Sequence, residues 1–234
     1  CGVSSKWTME TFIDVTSKRL SNEVGKSKVL MFLSGGVDSS VIYTLLNLIQ
    51  KNEKLLDQKK LLLKLTKEQL TEKVASPTAQ LFWFSRVEKI ADWFVSEEAN
   101  RRNLSKPIAL EKKGQIIIPD LAFKLTAQVD RVDINQDGKA IIYDYKTGAV
   151  PNKNIQLHFD KQLFLLALII EDGGFSDIAP LSVSNASFID LSNKKAVFAP
   201  FDQESLETHR GKFHLLIERY LNPDQGFTAR RAMF

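Results

Sequence analysis

Asp130, Asp144 and Lys146 are the residues whose types and spacing best suit chemistry. Asp144 and Lys146 stand two apart at the end of the apolar run Ala140 to Tyr145. On a strand they share a face, and Tyr145 points the other way. A second β-branched run, Val129 to Ile134, carries Asp130, and the intervening Asn135-Gln136-Asp137-Gly138 reads as a hairpin turn. Pairing the two strands brings two carboxylates and an ammonium together on rigid backbone. Carboxylate oxygens suit a hard divalent cation, which lowers the pKa of water and screens an anionic phosphodiester, and a lysine can orient the nucleophile or steady developing charge. The spacing also leaves open a plain surface Asp–Lys pair on a sheet. Asp-x-Lys recurs at Asp57/Lys59 and Asp137/Lys139, neither of which ends an apolar strand with an acidic strand upstream.

The longer pattern VDRVD…DGKAIIYDYKTG, followed by FDKQLFLLALII, resembles the PD-(D/E)xK nuclease domain of the RecB/AddB helicase–nuclease group, most of all its AddB-type members. That family carries a G-x-x-D-R-I-D strand, an I-D-Y-K-T-G strand and a helix bearing Q-L. The resemblance extends over residues 78–234. It implies a restriction-endonuclease-like α/β fold, a mixed sheet flanked by helices. It implies Asp130, Asp144, Lys146 and Gln162 as catalytic positions, with Asp130, Asp144 and the main-chain carbonyl of Tyr145 holding Mg²⁺ or Mn²⁺. It further implies DNA as substrate, a helicase-bearing AddA-like partner subunit, and work in double-strand break repair and recombination in the cytoplasm.

The N-terminal residues belong to a different pattern. Val29 to Leu33 is a short buried-type strand running into Ser34-Gly35-Gly36-Val37-Asp38-Ser39-Ser40 and an apolar helix-like run. Strand, glycine-rich turn and helix start present backbone N–H groups to phosphate. The string SGGVDSS is similar to the PP-loop of ATP pyrophosphatases, as found in GMP synthetases. That likeness implies Ser34, Gly35, Gly36, Asp38 and Ser39 as a cradle for ATP. It stops near Asn47, with no further strands to complete such a sheet, so a truncated fragment over residues 1–50 is expected.

Charge divides the same way. Residues 1–77 hold 12 Lys/Arg against 8 Asp/Glu, and residues 78–234 hold 20 of each, so the whole excess of +4 lies in the first part. DNA binding by the second part must then use local patches, of which Arg101-Arg102, Lys112-Lys113 and Arg230-Arg231 are candidates. The one cysteine, Cys1, excludes an internal disulfide and a cysteine-ligated cluster within the chain. No apolar run reaches membrane-spanning length. The first residue is not Met, so a fragment of a longer protein is expected.

Residues 51–76 are Lys/Leu/Glu-rich and predict a solvated helix or linker. An amphipathic helix follows from Thr78 to near Arg102, with aromatics for the core and Glu98 matching a glutamate of AddB-like domains. Two short strands around Lys113-Gly114, one helix over 155–171 ended by Gly173-Gly174, a hairpin about Ser192-Asn193-Lys194 and a helix over Gln203 to Leu221 complete the pattern. Gln162 interrupts the apolar helix and can face the site or solvent. His158 reads as a helix-surface residue, and His209 and His214, five apart, share no helical face for a metal. Three activities compete: a metal-dependent DNA nuclease, an ATP-binding fragment of a GMP synthetase, and an inactive nuclease fold kept for binding DNA.

Overall fold

The computed structural model describes residues 55–200, 203–222 and 224, all within the larger of two compact units of the chain, Ser34–Phe234. Ser34 to Ser40, the Arg230-Arg231 pair and Cys1 lie outside the described residues. Helix α1 (Leu55–Lys73) and helix α2 (Pro77–Leu104) precede strand β1 (Ser105–Ile118) and a 3-10 turn at Pro119–Leu121. Strands β2 (Phe123–Asn135) and β3 (Ala140–Lys146) follow, then helices α3 (Lys153–His158) and α4 (Gln162–Glu171). Strands β4 (Val183–Asp190) and β5 (Lys195–Phe198) and helix α5 (Gln203–Leu221) end the order.

The five strands form one sheet in sequence order. Only β3 and β4 run parallel, and the connection between them carries α3 and α4 over one face. On that face Phe164, Leu166, Leu168 and Ile170 of α4 pack against Val132, Ile142 and Phe188. On the other face Ala91, Phe94 and Val95 of α2 pack against Tyr143, Tyr145 and Ile189. A mixed sheet between two helical layers is the α/β architecture that the element order predicts.

The hairpin of β2 and β3 is as expected. Gly138 takes φ 72°, and Asn135 Oδ1 accepts from the amides of Asp137 and Lys139, closing the turn. Three elements differ from expectation. The strand pair predicted around Lys113-Gly114 is one continuous strand, β1, because Gly114 clears space rather than turning: a Cβ there would stand 2.6 Å from the Phe175 ring. The helix predicted over 155–171 is two helices, since Asp160 Oδ1 accepts from the Gln162 amide and starts a new one. The solvated helix or linker predicted over 51–76 is a helix over Leu55–Lys73, but packed on one side, with Leu62, Thr66, Leu70 and the following Val74 buried at four-residue spacing. Leu62 reaches the α2-side cluster, while Leu70 and Val74 meet Trp83 and Phe84.

Strand β2 turns over near its middle. Leu125, Ala127 and Val129 pack toward α4, and so does Val132, so the inward-facing positions change from odd to even between Val129 and Val132. The register with β1 is unshifted from Leu110↔Arg131 to Lys112↔Val129, and between these pairs Asp130 lies opposite Glu111, whose φ of 47° breaks the regular strand. Asp130 sits at this irregularity.

Candidate active site

Asp130, Asp144, Lys146 and Gln162 come together at the C-terminal end of β3, below the start of α4. The Tyr145 amide donates to Asp130 Oδ2 at 2.9 Å, which fixes that carboxylate against the neighbouring strand. Asp144 lies on the α4 side with its side chain 3% exposed, and Lys146 Nζ stands 2.7 Å from Asp144 Oδ2. That oxygen is buried, and the ammonium is its one close partner, so of its two lone pairs one is unmatched. Gln162 closes the arrangement: its Nε2 donates to Asp144 Oδ1 and its Oε1 accepts from Lys146 Nζ at 3.0 Å. This glutamine therefore faces the site, and its amide matches an acceptor on one side to a donor on the other.

The electrostatics are lopsided. Burial, opposed by the bond from the Tyr145 amide, pushes Asp130 up to about 6, with the charge of Glu111 adding to the rise. Burial followed by the charge of Asp130 pushes Asp144 to about 6 against the pull of Lys146, with Asp160 adding to the rise. Glu111 thus bears on Asp130 and Asp160 on Asp144, while Lys146 is the cation that opposes both rises. Glu111 and Asp160 are absent from the sequence-based site. Asp160 carried a signal, an acidic residue two before the first residue of an apolar helix, whereas Glu111 reaches the site only through the irregular turn of β1.

Two carboxylates with a spare lone pair fit a hard divalent cation, which takes one or two carboxylates and fills its shell with carbonyls, waters and substrate oxygens. Among the described residues no group of three or more His, Cys, Asp or Glu could hold a metal, so a zinc-type cage is absent there. The Tyr145 ring points to the opposite face, where its hydroxyl lies 3.3 Å from Arg131 Nη1, so only its main chain is on offer to the site.

On that opposite face Arg131 is fully buried. Its Nε and Nη2 donate to the two oxygens of Asp133, and its Nη1 donates to Glu98 Oε2. Arg102 donates to the other oxygen of Glu98, and Ser105 Oγ donates to Asp133 Oδ2 at 2.7 Å. Glu98 is thus placed in a buried ion network and not in the cleft. Arg101 is buried and Arg102 and Lys112 are ion-paired, the last with Asp177 at 2.7 Å, so neither basic pair forms an open patch. His158 is exposed beside Phe159, His209 rests on Phe164 with ring centroids 3.9 Å apart, and His214 Nε2 meets Asp120 at 2.7 Å.

A family profile described as the PD-(D/E)XK nuclease superfamily matches residues 41–232. An uncharacterized protein of Rickettsia bellii is 27% identical over 189 residues, 72% of this chain and 23% of that protein. One from Rickettsia conorii, uncharacterized protein RC0550, is 27% identical over 135 residues, 56% of this chain and 16% of that protein. The chain thus spans about a quarter or less of these relatives. GMP synthase of Lactococcus lactis is 54% identical over 46 residues, 20% of this chain and 9% of the enzyme. The solved structure "Crystal structure of SSO0001" overlaps 93% of this chain and 98% of that one at 12% identity and a TM-score of 0.30. No helix among the described residues is long and apolar enough to cross a membrane.

Proposed function

Because this chain belongs to the PD-(D/E)XK nuclease superfamily, we infer that its cleft hydrolyses phosphodiester bonds in DNA with the help of Mg²⁺ or Mn²⁺. The observation that carries the reading is Asp144 held between Lys146 and Gln162 beside Asp130, two acids sharing one ammonium. Asp130, Asp144 and the main-chain carbonyl of Tyr145 would hold the cation. When bound, it supplies the charge that makes a water acidic enough to attack and that screens the phosphate. Lys146 Nζ keeps donor capacity beyond its contact with Gln162 and would orient the attacking water or the phosphate oxygen. Gln162 restrains Lys146 and Asp144 together, which limits the rotamers the lysine must lose on the way to the transition state.

We further propose that this hydrolysis serves double-strand break repair and recombination in the cytoplasm, beside an AddA-like helicase-bearing subunit. The support is the run VDRVD…IIYDYKTG and the balanced charge of residues 78–234, which leaves strand separation and processive DNA holding to a partner. ATP binding by Ser34, Gly35, Gly36, Asp38 and Ser39 draws only on a stretch matching 9% of a GMP synthase, and it adds nothing to this reading.

The test is cleavage of end-labelled linear single- and double-stranded DNA with Mg²⁺, Mn²⁺ or EDTA. Metal-dependent products from the wild type, absent in Asp144→Ala and Lys146→Ala, are expected. A folded wild-type chain that binds DNA without cutting it under any metal would leave a DNA-binding module instead.

A further inference from the structure

Helix α4 serves a second cleft on the flank that does not face Asp144. From the position before its first residue it presents Lys161, Phe164, Leu165 and Leu168, spaced i, i+3, i+4 and i+7. Helix α5 answers with His209, Lys212, Phe213 and Leu216 in the same spacing. Matched stripes of this kind ordinarily interlock and close. These enclose a cavity of about 290 Å³, capped at one end by Leu157 and His158 of α3.

The floor of the cavity is aromatic and aliphatic, with Phe164 and Leu168 each 2% exposed. The His209 ring rests on Phe164, and burial, then the charges of Lys161 and Lys212, holds His209 below its ordinary value. At neutral pH it is therefore a flat uncharged ring. Lys161 stands 5.3 Å over the Phe164 ring, and its ammonium donates to the carbonyl oxygens of Gln156 and Leu157. Two of its three N–H groups are spent there, and the third remains. Lys212 lies across the mouth, exposed, and no acidic residue lines the cleft. Leu157 and Leu216 at the rim stay 38% and 48% exposed.

An apolar slot with flat rings inside and two ammonium groups at the mouth has the complementarity of one nucleotide, base inward and phosphate outward. Its place on α4 matters. Gln162, the residue after Lys161, lies about a third of a turn around the helix from this stripe and contacts Asp144. We propose that the cleft takes an unpaired nucleobase and its phosphate from the DNA strand being cut, so that the enzyme works on single-stranded ends. A base stacked and paired in duplex cannot enter without being flipped out. The inference rests on the nuclease reading of the neighbouring site.

Affinity of the full 234-residue chain for a fluorescein-labelled dT oligonucleotide, in EDTA, reads the cleft apart from the chemistry. Lys212→Glu, at an exposed position, and His209→Ala, at a half-buried one, should both weaken binding about tenfold. A blunt duplex of equal length should lose less than about twofold. On the wild-type chain, 4-thiothymidine in the oligonucleotide should cross-link within residues 157–168 or 209–216. Adducts confined elsewhere, or affinities for single strand and duplex that move together or not at all, overturn the inference. Binding that depends on these residues in a chain that cuts nothing with Mg²⁺ removes the nuclease reading and keeps the cleft. Cutting without that dependence removes the cleft alone.

Discussion

Strand β2 feeds two polar clusters through opposite faces of the sheet. Toward α2, Arg131 reaches both Asp133 and Glu98, Arg102 takes the other oxygen of Glu98, and Ser105 adds a second bond to Asp133 Oδ2. Toward α4, the adjacent Asp130 joins Asp144, with Lys146 as the one cation, and both acids are pushed up to about 6. Both clusters set acids against basic side chains, the first fully buried at Arg131, Glu98 and Asp133 and the second partly open at Lys146. They differ in balance: guanidinium forks satisfy the first, whereas in the second two acids share one ammonium and keep an unmet demand for positive charge. A cluster without outstanding demand holds the sheet to the helix, and a cluster with one is available to a ligand.

The largest expected effect breaks the demanding side. Lys146→Ala and Asp144→Ala should each reduce DNA cleavage about a thousandfold or more while the far-ultraviolet dichroism stays native. The mirror experiment is Arg131→Met, which strands Glu98 and Asp133 in the interior. It should cost about 3–5 kcal/mol in urea unfolding. If it instead spared stability and abolished cleavage, the division of roles between the two faces would be wrong. Gln162→Ala, which frees Lys146 without removing it, should lower cleavage about 10- to 100-fold with little change in unfolding midpoint.

The smallest effect is also the sharpest. Asp130 and Asp144 titrate near 6 in the folded chain against an ordinary 3.8, so between about pH 4 and pH 6 the folded form carries protons that the unfolded form has lost. Stability contributed by these groups is therefore greatest on the acid side and falls as pH rises through 6, on the order of 2 kcal/mol. Thermal melting in EDTA at pH 5 and pH 7.5 should show the decline, Mg²⁺ should offset it at pH 7.5, and Asp144→Asn should flatten it. A flat profile in the wild type would mean that the two acids are not short of charge.

Much of this was legible in the residues. Asp-Gly between β-branched runs specified the hairpin, and two-residue spacing specified that Asp144 and Lys146 share a face while Tyr145 leaves it. The face of Gln162 was not fixed by pattern, because an isolated amide in an apolar run is compatible with either side. What escaped depended on partners distant in sequence. Gly114 resembles a turn until the Phe175 ring is seen above it. Leu62 and Leu70 resemble ornaments of a charged helix until α2 is laid beside them. Arg131 offered a clue, a guanidinium amid β-branched residues with an acid on each side, yet which acid it grips depends on the strand turning over at Asp130.

That turn has an evolutionary consequence. The irregular positions opposite it lie on the edge strand β1, at Glu111 and at the register step between Pro107 and Ala109, while β2 and β3 pair without interruption from Arg131↔Tyr143 to Ile134↔Ala140. A codon gained or lost in the edge strand can be accommodated by sliding a bulge along it. The same event within β3 would exchange Asp144 for Tyr145 on the working face. Insertions and deletions among descendants of this sequence should therefore accumulate in β1, leaving the inner hairpin constant in length.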